Sequence, residues 1–99
     1  MRELILLLQA DIDIQAAFNR YEDFQEGRGF IFMQHLDAAL TLMRHYPRSA
    51  GIYAEPYRRM LIRDFPFGVF YEEQTTRIVV VAVADLRQDP NAIRRLLFG

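Results

Sequence analysis

The sequence predicts an α+β sandwich, a helical hairpin packed on a mostly antiparallel sheet, in the order β-α-α-β-β-β-(α). Apolar residues recur at three- and four-residue spacing between residues 14 and 43, the period of amphipathic helices. Residues 57–84 instead hold three short runs of β-branched and aromatic residues separated by turn formers. Helices and strands are therefore segregated along the chain, unlike the alternation of a parallel α/β protein. With 99 residues there is material for one core, so residues 1–99 are expected to form a single domain.

The opening stretch from Glu3 to Gln9 is apolar and too short for an independent helix, and it reads as a strand covered on both faces. From Asp11 the period changes. Ile14, Ala17, Phe18, Tyr21 and Phe24 form one helical stripe that ends near Gln25, with Asp11 or Asp13 as the cap. Gly27-Arg28-Gly29 interrupts the pattern. A second stripe of Phe32, Leu36, Ala39, Leu40 and Met43 carries a helix to His45, and Pro47 stops it. Arg48 to Glu55 has no periodicity and reads as a loop. Three strands follow, Tyr57 to Arg63, Phe67 to Glu72 and Arg77 to Ala84, the last two joined by a turn short enough for an antiparallel hairpin. Asp85 to Pro90 leaves the sheet, and Asn91 is placed to cap a short helix through Leu97.

Composition narrows the function classes. Apolar residues make up 52% of the chain and charged residues 25%, which excludes a disordered chain. The apolar runs Leu4 to Leu8 and Ile78 to Ala84 both fall far short of the roughly 20 residues of a membrane span, so no membrane partner is expected. A secretion cleavage pattern is lacking, and the absence of cysteine excludes disulfides, thiolate metal sites and a cysteine nucleophile; a cytoplasmic protein fits both features. A net charge of -1 and a pI near 6.1 speak against bulk attraction to nucleic acid. All 12 basic residues are arginine, the planar fork suited to carboxylate and phosphate. Residues 1–50 carry five arginines against seven acids, and residues 51–99 seven against six, so an anion site is expected in the second half.

Most candidate catalytic patterns fail on spacing. His35 and His45 lie ten residues apart on one predicted helix and point about 80° apart, so they do not share a small site. Ser49 is the only serine and lacks the strand-turn-helix frame of an activated nucleophile. Gly27 and Gly29 do not follow a strand and suit a helix-helix turn better than a phosphate loop. No metal or cofactor is expected. The stretch from Tyr57 to Tyr71 is more informative. On a strand Arg59 and Arg63 share one face, and Arg58 points to the other with Met60 and Ile62. Arg77 and Arg87 could complete an arginine-lined concavity; alternatively Arg63-Asp64, and Arg77 with Glu72 or Glu73, are ordinary surface pairs.

The chain as a whole resembles the ParE/RelE toxin superfamily of type II toxin-antitoxin, or plasmid stabilisation, modules. The resemblance rests on Asp13-Ile14 with Tyr21 eight residues after Asp13, Gly27-x-Gly29-x-x-Phe32, a helix closed by Pro47, Tyr57-Arg58-Arg59, Phe65-Pro66-Phe67 with Tyr71, and Arg87-x-Asp89-Pro90. It implies a strand, a helical hairpin and a three-stranded antiparallel sheet. It also implies a bacterial growth-inhibiting toxin neutralised by a cognate antitoxin, with an apolar groove beside the hairpin for the partner's helix. Within the superfamily, ParE-like members poison DNA gyrase without being nucleases, whereas RelE-like members cut mRNA on the ribosome with basic side chains and often a C-terminal Tyr. Here Gly68 or its apolar neighbours precede Tyr71 where RelE-like chains place an Arg, the last helix has no Tyr, and Asp85 and Gln88 stand where a His and an Arg are frequent. The resemblance therefore implies a ParE-like inhibitor that is not an enzyme, with a ribosome-dependent RNase or a degenerate, non-toxic binding member as alternatives. Arg58, Arg59, Arg63, Tyr71, Arg77, Asp85 and Arg87 are the candidate target- or antitoxin-binding residues.

Overall fold

A computed structural model describes residues 1–99. Its elements are β1 (Glu3–Leu6), α1 (Leu8–Phe24), α2 (Arg28–His45), β2 (Ile52–Ala54), β3 (Tyr57–Leu61), β4 (Phe67–Glu73), β5 (Arg77–Asp85) and α3 (Pro90–Phe98). The strands form one sheet in the order β1-β5-β4-β3-β2, antiparallel throughout except where β1 runs parallel to β5. That single parallel pair follows from topology, because the whole α1–α2 hairpin separates β1 from the strands and returns the chain to it as a crossover. The α+β class and the hairpin-on-sheet arrangement expected from the sequence are present.

Several boundaries differ. The first strand stops at Leu6, where its register with Val80 ends; the Leu7 N–H still bonds the Val80 carbonyl at 3.0 Å and the helix begins at Leu8. Gln9 thus belongs to α1, and β1 is a half-exposed edge strand, not one covered on both faces. A continuous apolar run cannot by itself separate a strand from the first turn of a helix. Neither Asp11 nor Asp13 caps α1. Leu7 holds the cap position without a side-chain bond, so both aspartates lie inside the helix. The stripe is buried at Ile14 and Ala17, but Phe24 is 79% exposed because α1 has by then run past its partners. Residues 52–54 form β2 inside the expected loop, pairing with β3 at Arg58 and Tyr57; three residues are too few for periodicity to register. The third strand ends at Leu61, two residues short of Arg63. The cap of α3 is Asp89, whose carboxylate takes the Asn91 N–H at 2.9 Å; Pro90 suits the first turn and fixes the start two residues earlier than an Asn91 cap would.

The core has two compartments. On the hairpin side Phe32, Leu36, Met43, Val69, Tyr71, Ile78 and Val80 are fully buried. The opposite face of the sheet packs Phe70, Ala82 and Ala84 against Ile93 and Leu97 of α3, making a third layer. Phe70 and Tyr71 take opposite faces by ordinary strand alternation, and a slip in the β4–β5 register, which pairs them with Ala82 and Val80 in turn, sends those two residues to opposite compartments as well. The Tyr71 hydroxyl donates to the Pro47 carbonyl and anchors the α2–β2 connection to β4, and burial pushes its pKa up.

The turn between the helices explains Gly27 and Gly29. Gly27 adopts a φ of 87°, a left-handed conformation that glycine enters without a Cβ penalty. No side chain at Gly27 can cap α2, and Glu22 does so from α1: its carboxylate accepts the N–H groups of Gly27 at 2.8 Å and Gly29 at 3.0 Å. Glu22→Ala leaves both donors without that partner, and a loss of about 1–2 kcal/mol in denaturant unfolding is expected. Glu22→Gln, which keeps an acceptor, is expected to lose less.

Candidate functional site

The seven candidate residues do not converge. Arg59 lies on the α3 side of the sheet, its guanidinium 5.3 Å from the centre of the Tyr53 ring, which in turn packs edge-on against Phe70. Its aliphatic stem covers Gly68: a Cβ there would lie 3.0 Å from Arg59 Cγ and 3.1 Å from Leu86 Cδ2. An arginine at position 68 would have to displace both. Arg58 takes the hairpin side and donates to the Ala50 carbonyl at 2.8 Å. Arg63 does not share a face with Arg59, because β3 has ended; it is exposed in the following turn, where its carbonyl accepts from His35 Nδ1 at 2.7 Å.

Arg77 sits at the start of β5 and donates to Gln74 at 2.8 Å, not to Glu72 or Glu73. Asp85 and Arg87 stand at the far end of the same strand, where Asp85 is paired with Phe67. Arg87 grips the Asp85 carboxylate with Nε at 3.0 Å and Nη2 at 2.8 Å, and its backbone N–H bonds the same group at 2.9 Å. The arginine-lined concavity is therefore not formed. A period-two reading assumes an unbroken strand and one flat sheet, and here a strand end and a slipped register send the arginines to different places.

The Asp85 end does carry a cleft of about 270 Å³ between α1, β5 and α3, lined among others by Asp13, Arg20, Phe67, Val83 and Asp85. Its two carboxylates are pushed in opposite directions. The hydrogen bonds from Arg87 hold Asp85 below the usual carboxylate range, so it is a standing anion at neutral pH and neutralises Arg87. Burial raises Asp13, and the bonds it accepts from the Val83 N–H at 2.9 Å and Gln9 Nε2 at 2.7 Å offset this only in part. Asp13 serves the edge of β5 after β1 has turned away, a role that a mid-helix aspartate does not announce in sequence. Because its folded pKa is raised, the stabilisation that goes with its protonated form is complete below its ordinary value of 3.8 and is lost as pH rises through the folded value. Asp13→Asn keeps an acceptor without the charge, so its stability relative to wild type is expected to rise between about pH 3 and pH 7 in urea melts.

No family model matches the chain, and no curated protein matches it in sequence. Among solved structures it matches a chain of the chromosomal ParDE TA system from P. aeruginosa with a TM-score of 0.77 and 16% identity, over 88% of this chain and 98% of that one. The fold is ParE/RelE-like. A ParE/RelE-like sheet thus presents here a half-buried Arg59-Tyr53 stack and a self-neutralised Asp85-Arg87 pair. Phosphoryl transfer on such a sheet needs uncommitted cations and a group able to exchange a proton near neutral pH. The Asp85 end offers an ionised carboxylate together with Arg20 and the raised carboxyl of Asp13.

Proposed function

We propose that the chain is the toxin subunit of a cytoplasmic bacterial toxin-antitoxin module, bound by a cognate antitoxin, and that it acts by binding a cellular target, DNA gyrase by analogy, without cutting RNA. The observation that carries this reading is the fold match over nearly the full length of both chains to a component of a ParDE system. A partner-binding surface is available beside the hairpin. Leu42, Ala50, Met60 and Leu61 line a cleft of about 410 Å³, and β2 pairs with β3 only at Tyr57 and Arg58, leaving the outer edge of β3 without a strand at Met60 and Leu61. A segment that fills this cleft would cover apolar side chains and complete that edge. Against cleavage stands Asp85, whose charge opposes a phosphate where a general acid would be needed. Arg59 over Tyr53 supports the RelE-like alternative, since a cation beside an aromatic ring suits a stacked base.

Co-expression with the product of the adjoining reading frame is expected to give a stable complex, and expression alone to slow growth and inhibit supercoiling by gyrase. A chain that never co-purifies with that product and has no effect on growth would overturn the module reading. Discrete cuts in ribosome-bound messages, mapped by primer extension, would replace the gyrase reading with the RNase one. Arg59→Ala is expected to weaken binding of antitoxin or target about tenfold, or about 1.4 kcal/mol, with the fold checked by circular dichroism.

A further inference from the structure

At the end of the β4–β5 ladder remote from Asp85, three arginines converge from separate segments: Arg2 ahead of β1, Arg44 in the last turn of α2, and Arg48 in the α2–β2 connection. Glu73, at the end of β4 and with a side chain only 13% exposed, accepts Arg2 Nη1 on one oxygen and Arg48 Nε on the other, the latter at 2.9 Å. Arg44 Nε donates to the Arg2 carbonyl at 3.1 Å. Each arginine thereby uses one N–H of the five a guanidinium carries. Three adjoining depressions share Arg2: one of about 600 Å³ bordered by Tyr46, Pro47 and Arg48, one of about 240 Å³ reaching Arg44, and one of about 270 Å³ reaching Thr75.

We propose that this end of the molecule binds an acidic peptide segment of a partner polypeptide, whose carboxylates take the N–H groups that Arg2, Arg44 and Arg48 leave unused. Three observations favour that occupant. Glu73 shows that this end already holds a carboxylate, each of its oxygens taking one charge-assisted N–H from a different arginine. Arg48, with its side chain 77% exposed, keeps most of its fork in solvent. Tyr46, 66% exposed, and Pro47 offer an apolar border to the side chains and backbone of a peptide.

Charge argues against a nucleic acid here. Three arginines against one glutamate sit in a chain whose net charge is -1, so the remaining surface is acidic. The rest of the chain, at a net charge of -3, adds no overall attraction for a phosphate backbone that runs past the patch, whereas a short acidic segment needs only the patch itself. The site uses neither the fold match nor any target, so it stands apart from the toxin reading.

The test is a titration of the full chain, followed by backbone amide shifts and calorimetry at about 50 mM salt, where surface charge is screened least. The probes are an octapeptide of alternating Asp and Glu, its Asn/Gln counterpart, inorganic phosphate and an eight-nucleotide single strand. The acidic peptide is expected to bind and to shift amides at 44–49 and 73–75, and the uncharged peptide to do neither. Arg44→Gln and Arg48→Gln are each expected to weaken binding roughly five- to tenfold, with lysine at either position restoring little because the fork is lost. Glu73→Gln frees both forks and is expected to tighten binding several-fold, which a merely structural ion pair would not do. Arg94→Gln on α3 is expected to bind like wild type. If Glu73→Gln does not fold, the two arginine variants decide. An acidic peptide that does not bind, arginine variants that bind like wild type, a folded Glu73→Gln that binds no tighter, or phosphate or an oligonucleotide that binds more tightly than the peptide would each overturn the proposal.

Discussion

Phe32→Ala is expected to cost about 3–5 kcal/mol, the largest loss of any single truncation in the hairpin. The ring is fully buried. It stacks on Tyr21 at 5.5 Å and meets Phe65 and Phe67 edge-on at 5.2 and 5.4 Å, so four aromatic rings from α1, α2, the β3–β4 turn and β4 share one contact. Truncation leaves a cavity between elements that are distant in sequence, and each lost aromatic pair adds about 0.5–1.5 kcal/mol beyond the buried area. Domains of this size have only about 5–15 kcal/mol in total, so the variant should melt at much lower denaturant or fail to accumulate. Phe24→Ala, at the exposed end of the α1 stripe, is the internal contrast and should change stability by less than about 0.5 kcal/mol. A Phe32→Ala loss below about 1.5 kcal/mol would mean that the aromatic cluster is not the centre of this core.

Gly29→Val is expected to cost about 3 kcal/mol, at the upper end of overpacking effects. A Cβ at this position would lie 2.8 Å from the Phe18 carbonyl oxygen and 2.9 Å from the Phe18 ring. The first of these is backbone, which no rotamer change can move, so α1 and α2 must separate. Separation also draws the Gly29 N–H from the Glu22 carboxylate and loosens the cap of α2. Gly51→Ala is the control: a Cβ there meets nothing within 4 Å, and its effect should lie near zero. Thermal melts of the two variants separate a glycine needed for close helix approach from one that is merely in a loop. Equal melting temperatures would refute the close-approach argument.

How much of this was legible in the sequence differs by residue. The stripe of Phe32, Leu36, Ala39 and Met43 was readable because a helix repeats its buried side every three or four residues whatever it packs against. The hairpin between β4 and β5 was readable for a similar reason, since a short connection between two β-rich runs leaves the antiparallel neighbour as the simplest arrangement. Glu22, Asp13 and Glu73 were not. Each spends its carboxylate on a group brought to it by folding: two amides of the next helix, one amide of β5, and two arginines 71 and 25 positions away. The arginines misled in the same way. Charge counting pointed to the second half of the chain, yet Arg2, Arg44 and Arg48, the ones that gather, all come from the first.

The sequence by itself determined the class of the fold, the order of the long elements and most of the apolar residues inside them, because these follow from local period and turn chemistry. The tertiary structure decided where β1 ends, that β2 exists, and which face each arginine takes. It also decided which carboxylates are caps, anchors or ion-pair partners. Those outcomes depend on register, on a one-residue slip between Phe70 and Tyr71, and on contacts between segments far apart in the chain, and a linear pattern carries no term for any of them.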